Sequence, residues 1–171
     1  MHILTYSLNV VSLILMVSAS LIKGKKMTLI LFLVFMANFL FATSYILDGH
    51  GINGAATCYL GAVQTIINYF FTVRNRDIPK KLIAVYALSF IVINIAVSGG
   101  ITPLGLLVIV ASLCFVLCIN QKNGAKYRFW TFINISLWCV YDILSGAFNG
   151  LITHFPQLIF LVVGIIIHDR K

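Results

Sequence analysis

The sequence predicts an all-α integral membrane protein of seven transmembrane helices, built as two parallel three-helix repeats plus a linker helix, a 3-1-3 plan. Three observations carry that expectation. Apolar runs recur along all 171 residues, with a mean hydropathy of +1.04. Charged residues make up only 9% of the chain, against about 25% in an ordinary soluble domain, so a water-facing surface could not be covered. The basic residues fall only in alternate connections between the runs. A disordered chain needs low hydrophobicity and high charge; with 61% hydrophobic residues this one has the reverse.

The runs are taken in order. Residues 3–22 form the first, with no basic residue ahead of it and no small-residue cleavage site before Lys23, so it reads as a retained helix and not a cleaved leader. Residues 28–47 form the second. The third, 55–73, is less greasy because it carries Gln64, Thr65 and Asn68. The fourth, 82–98, is short. Pro103 opens the fifth, 102–119, and the sixth and seventh cover 128–147 and 151–168. A helix of roughly 20 residues, rising about 1.5 Å per residue, crosses the hydrocarbon core. Barrel strands would be about 10 residues long and alternate in polarity. These runs are continuously apolar.

Charge placement fixes an orientation. Lys23, Lys25 and Lys26 follow the first run. Arg74, Arg76, Lys80 and Lys81 follow the third. Lys122, Lys126 and Arg128 lie between the fifth and sixth, and Arg170 and Lys171 follow the seventh. With seven spans all twelve lie on one side. The other side holds the N-terminus and the connections 48–54, 99–101 and 148–150, without a Lys or Arg. The positive-inside rule puts the N-terminus outside and the C-terminus in the cytoplasm. The net charge of +8 is thereby a topology signal, and nucleic acid is not an expected partner.

A shift of 96 lays the second run on the sixth. Asn38 falls on Asn134, Tyr45 on Tyr141, and Asn53-Gly54 on Asn149-Gly150. The repeats are then 1–76 and 101–171, with 77–100 as the linker. Gln64 corresponds to Gln157 if the intervening outer connection differs by three residues. The odd linker helix makes the repeats parallel, and a binding site is expected between them near mid-membrane.

Two stretches, GAVQTIINYFFTVRNR at 61–76 and RFWTFINISLWCVYDILSGAFNG at 128–150, resemble the YgjV-type bacterial inner membrane protein family. The matching positions are Asn68, Arg74, Arg76, Trp138, Gly146 and Gly150. That family is similar in plan to the SWEET and PQ-loop transporters and to the PnuC-type vitamin transporters. The likeness implies a 3-1-3 bundle, an outside N-terminus and a small polar solute such as a sugar, an amino acid or nicotinamide riboside. The chain departs from the SWEET pattern in its prolines. It has only Pro79 in a connection, Pro103 at the head of a helix and Pro156 inside the last, so hinge prolines are not repeated in the two triplets.

Polar groups within apolar spans are costly and usually face a bundle interior or a cavity. Asn38, Gln64, Asn68 and Asn134 are the amides in the spans, joined by Gln157. A repeated pair of Asn could hold a polyol or an amide between the halves, with Trp138 as a wall for a ring. The plainer alternative is that each Asn ties one helix to the next. Asp142, the one acid well within a span, and His154 at similar depth form a candidate proton-carrying pair.

No cofactor and no metal is expected. Cys58, Cys114, Cys118 and Cys139 form no Cys-x-x-Cys pair, and there is no phosphate-binding Gly-rich loop. Two other functions compete with transport. One is a non-transporting membrane scaffold or assembly factor. The other is a membrane cysteine peptidase using His50 and Cys58, similar to the AgrB type, although the basic residues that precede the His there are missing. The expectation is a non-enzymatic carrier whose partners are the lipid bilayer and a small polar solute. A homodimer is compatible with the plan and nothing in the sequence calls for one.

Overall fold

Capping residues start and stop the helices. Pro79 stands at the N-cap of the fourth helix, where its missing N–H forfeits no bond. Thr102 caps the fifth, its Oγ1 accepting from Gly105 N at 3.0 Å, and Pro103 takes the first turn. Asn123 caps the sixth, its Oδ1 accepting from Ala125 N at 2.8 Å. That helix ends on Gly146 in the left-handed region at φ 72°, which glycine adopts without steric penalty.

The computed structural model describes residues 2–23, 26–48, 52–146 and 148–169, leaving aside the side chains of His2, Asp48, Ile52, Asn53 and Asn149. Among the described residues there are seven helices: α1 His2–Leu21, α2 Met27–Asp48, α3 Ile52–Val73, α4 Lys80–Val97, α5 Pro103–Ile119, α6 Gly124–Ser145 and α7 Phe148–His168. Four contain stretches long and apolar enough to cross a membrane by length and composition: Ile3–Leu21, Met27–Leu47, Lys80–Val97 and Gly150–His168. Helix α5 is apolar but shorter, and α3 and α6 carry the polar residues that the bundle buries.

Each helix packs on its chain neighbours, α7 packs back on α1, and α3 touches α5. The result is a ring closed on itself. Helix α4 straps the outside of the α3–α5 seam, burying one stripe of Tyr86, Phe90 and Asn94. Side-chain bonds stitch neighbours together: Ser12 Oγ donates to Ala37 O at 2.9 Å between α1 and α2, and Thr57 Oγ1 to Asn94 Oδ1 at 3.1 Å between α3 and α4.

Polarity is distributed inside out. Val10, Ile14, Phe39, Val85, Leu88 and Phe160 are exposed, while Asn38, Gln64, Asn68, Asn134, Asp142 and His154 are buried. Water would not tolerate that surface; hydrocarbon favours it.

Two expectations need correction. Arg128 is not in a connection. Asn123 caps α6 earlier than expected, so Arg128 lies within that helix and is only 2% exposed. The turn expected at 148–150 is also helical, and Gly54 likewise belongs to the first turn of α3. The Asn-Gly landmarks therefore begin helices; the side chains of Asn53 and Asn149 lie outside the described residues. All the described Lys and Arg still gather at one end of the ring. Lys122 pairs with Asp77 across two of the connections there. Lys25, Arg170 and Lys171 lie outside the described residues.

Candidate functional site

All seven helices wall a central cavity of about 60 Å³. Asn38 lies near the middle of α2 and Asn134 near the middle of α6, and both line it. Asn38 Nδ2 donates to Val34 O of its own helix at 2.9 Å. Asn134 Nδ2 donates to Ala111 O of α5 at 2.7 Å. One amide hydrogen of each is thereby committed to backbone. No described bond engages either Oδ1, so both amides present an acceptor.

Trp138 follows Asn134 by one turn of α6 and also lines the cavity. The ring of His154, from α7, stacks on it at 5.9 Å with an interplanar angle of 25°. Phe41 meets the same imidazole edge-on at 5.5 Å. Gln157, one turn beyond Thr153, completes the polar wall on that side.

Behind the His154 imidazole lies Asp142, fully buried. Its Oδ2 is 2.7 Å from His154 Nδ1, and its Oδ1 has no hydrogen-bond partner. The backbone of Gly150 covers this carboxylate. A Cβ there would come within 2.6 Å of both carboxylate oxygens. Gly150→Ala is therefore expected to push Asp142 off His154 or part α6 from α7, at about 1–3 kcal/mol, the usual penalty for overpacking. Thermal unfolding in detergent reads it; unchanged stability would show that the carboxylate can move freely.

The cavity does not gather every residue singled out by the sequence. Gln64 and Asn68 continue the α3 stripe of Thr57 and Gly61, but nearer the basic end, where other helices close over them. Asn68 Nδ2 donates to Ile119 O at 3.1 Å, and Tyr86 Oη donates to Asn68 Oδ1 at 3.1 Å. Gln64 Nε2 donates to Tyr86 O at 3.3 Å, and its Oε1 is buried without a partner. These two amides knit α3, α4 and α5 and lie outside the cavity lining. Cys58, by contrast, does line the cavity. The His50 of the peptidase reading lies outside the described residues.

Sequence reasoning missed the small hydroxyls Ser12, Ser112, Thr57, Thr131 and Thr153 on the cavity wall. A signal existed. The shift of 96 that pairs Asn38 with Asn134 also pairs Thr57 with Thr153, Cys58 with His154, Gly61 with Gln157 and Met16 with Ser112, and both members of each pair line the cavity. The gap introduced to match Gln64 with Gln157 is not needed by this register. Without it Gln64 falls on the exposed Phe160.

The ring is shut toward its basic end. There Gly164 of α7 lies against Ser20 of α1, where a Cβ would stand 2.6 Å from Ser20 O. His168 Nε2 bonds Leu21 O at 2.8 Å. Arg128 Nη1 donates to Ile22 O at 3.2 Å, while its Nε donates to Asp169 Oδ2 at 2.7 Å and its Nη2 to Asp169 Oδ1. Toward the other end the same α1–α7 seam holds a gap of about 40 Å³ between Tyr6, Asn9, Leu13 and Thr153.

The sequence model of a family described as Imp-YgjV, bacterial inner membrane protein, matches residues 3–171. No curated protein and no solved structure matches the chain.

Proposed function

The chain belongs to the Imp-YgjV family of bacterial inner membrane proteins, and from that premise we propose a carrier that passes a small polar solute by alternating access between two three-helix halves. One observation carries the reading. The cavity is walled by residues from both halves at positions 96 apart, with Asn38 and Asn134 facing it from mid-helix. That is the arrangement expected of a site at the interface of parallel repeats. Helices α1–α3 form one half, α5–α7 the other, and α4 restores the orientation of the second.

The two seams between the halves support the mechanism. Near the basic end, α3 meets α5 through Asn68, and α7 meets α1 through Gly164, His168 and Arg128. Away from that end the α1–α7 seam is partly open. In this reading the basic end faces the cytoplasm, the N-terminus lies outside, and the structure represents the state closed on the cytoplasmic side. Asn38, Asn134, Trp138 and Gln157 contact the solute. Gln64 and Asn68 hold the α3–α4–α5 wall. No covalent step is required of any residue.

The test is a thermal-shift screen of sugars, amino acids and vitamin precursors on the purified protein. A solute at a hundredfold its Kd adds about 2.7 kcal/mol of stability. Asn134→Ala is expected to weaken that solute at least tenfold. Its own effect on folding should be small, because a membrane-buried side-chain hydrogen bond averages about 0.6 kcal/mol. The competing reading, a non-transporting scaffold, draws on the small cavity volume and predicts that no solute shifts the melt.

A further inference from the structure

The wall of the cavity and the pair behind it constrain the charge of what enters. Among the described residues no Lys or Arg lines the cavity. Its amide carbonyls Asn38 Oδ1 and Asn134 Oδ1 are free to accept. The hydroxyl of Ser112 already donates to Val108 O, which leaves its oxygen to accept, while Thr131 donates to Tyr127 O and accepts from the Cys118 thiol. Donors are also present: the second amide hydrogen of Asn38 and of Asn134, the Trp138 indole and the Gln157 amide. Phe41, Phe90, Phe115, Tyr127 and Trp138 give an aromatic enclosure. Aromatic faces attract cations, most strongly where water is excluded.

Asp142 adds the decisive element. Its Oδ1 is buried without a partner, and its Oδ2 is 2.7 Å from His154 Nδ1. No described bond engages His154 Nε2. The pair has two arrangements without a stranded charge. In one, His154 carries a proton on each nitrogen and balances the carboxylate. In the other, His154 is neutral, Nδ1–H still donates to Asp142, Nε2 becomes an acceptor, and a cation in the cavity balances the carboxylate. A proton and a cation together leave a surplus positive charge; neither leaves a lone buried carboxylate. Both are costly in a low-dielectric interior.

The other titratable groups near the pair are Cys58 of α3 and Cys139 and Tyr141 of α6, with Tyr45 of α2 on the cavity wall and Tyr6 of α1 at the seam. These are thiols and phenols, without a fixed positive charge. The side chains of His2, Asp48 and His50 lie outside the described residues. Arg128 and Asp169 neutralise each other at the opposite end.

We propose that the cavity takes a small organic cation of the ammonium class in exchange for the proton held by the Asp142–His154 pair. This rests on the carrier reading above and names its substrate class and coupling ion. As the cation enters, one proton leaves His154 Nε2 for water, and the reverse transfer accompanies cation release. A cavity of about 60 Å³ has room for roughly five waters, so the ion is of that scale.

Calorimetric titration of the full chain in detergent tests it. The probes are ethanolamine, choline and 3,3-dimethylbutan-1-ol, the neutral carbon isostere of choline. Buffers of different ionisation enthalpy count the protons released, from about pH 5.5 to about pH 8.5, a range that spans histidine titration. The expected result is binding of at least one of the two cations, the isostere at least tenfold weaker than the cation that binds, and proton release that approaches one per cation wherever the Kd depends on pH. The apparent Kd should rise toward tenfold per unit fall in pH where the pair is protonated. Asp142→Asn should abolish the proton release. If that variant does not fold, the proton count of the unmodified protein decides alone. Cation binding without proton release at any pH in the range, equal binding of the isostere, or no binding of either cation overturns the proposal. A neutral sugar that binds in an Asn134-dependent way in the same titration overturns it too, while leaving the carrier reading intact.

Discussion

Arg128→Met is expected to destabilise the protein by about 3–5 kcal/mol, the range for breaking a buried ion pair from one side. The guanidinium is 2% exposed, and its three described bonds go to Ile22 just past α1 and Asp169 just past α7. Met replaces the volume but leaves Asp169, itself only 15% exposed, without its cation, and Ile22 O without a donor. Asp169→Leu alone should be comparably severe, since it strands the buried cation instead. The informative variant is the double one. Arg128→Met with Asp169→Leu removes both charges, and buried pairs replaced by apolar residues of similar volume often lose little. Most of the single-variant loss should return, leaving the smaller deficit at Ile22 O. Thermal melts of the four proteins make a double-mutant cycle. A double variant no more stable than Arg128→Met would show that the pair is not what holds the α6 end to the α7 end.

Gly164→Leu should be the most damaging single change on the α1–α7 seam. Even a Cβ at this position would lie 2.6 Å from Ser20 O, a backbone atom that cannot rotate away. Ala there should cost about 1–3 kcal/mol by overpacking, and the extra methylenes of Leu add to it. The expected readout is a lost or broadened melt and a non-uniform elution profile in detergent. Gly61→Ala provides the contrast. Its Cβ would meet Phe115, 3.1 Å away, at the edge of a ring that can shift by a few tenths of an ångström. A small residue that admits a neighbouring backbone is doing something different from one that admits a side chain. Equal losses from the two alanines would contradict that distinction.

Local features of the chain were readable from sequence, and long-range pairing was not. Continuous apolar runs placed all seven helices to within a few residues, because a membrane span has a length that physics sets. Basic residues located one end of the bundle for the same kind of reason. The shift of 96 pointed to Asn38 and Asn134 because three landmarks held the same spacing, and both residues line the cavity. Asn68 and Gln64 looked equally suited to a cavity, yet they bond Ile119 O and Tyr86 O. No periodicity in α3 announces which backbone carbonyl from α4 or α5 will stand opposite. Arg128 was misplaced for a local reason that could have been seen. Asn123 is a good N-cap, and taking it as one would have started α6 before the arginine. The Asn-Gly pairs misled in the opposite direction, since a dipeptide common in turns here opens helices.

The seam between α1 and α7 also bears on how the protein is made. Ribosomes deliver α1 well before α7, while the contacts that join them converge on Gly164 and His168, and Asp169 pairs with Arg128 of α6. Until those residues emerge, Arg128 is without its anion and Leu21 O lacks its partner. A nascent chain of six helices therefore lacks the element that joins α6 to α1. Quality-control proteases that survey the membrane would read such an intermediate as unfinished. Closure of the ring thus waits for α7, and truncation a few residues before Asp169 is expected to leave a protein that inserts but does not persist.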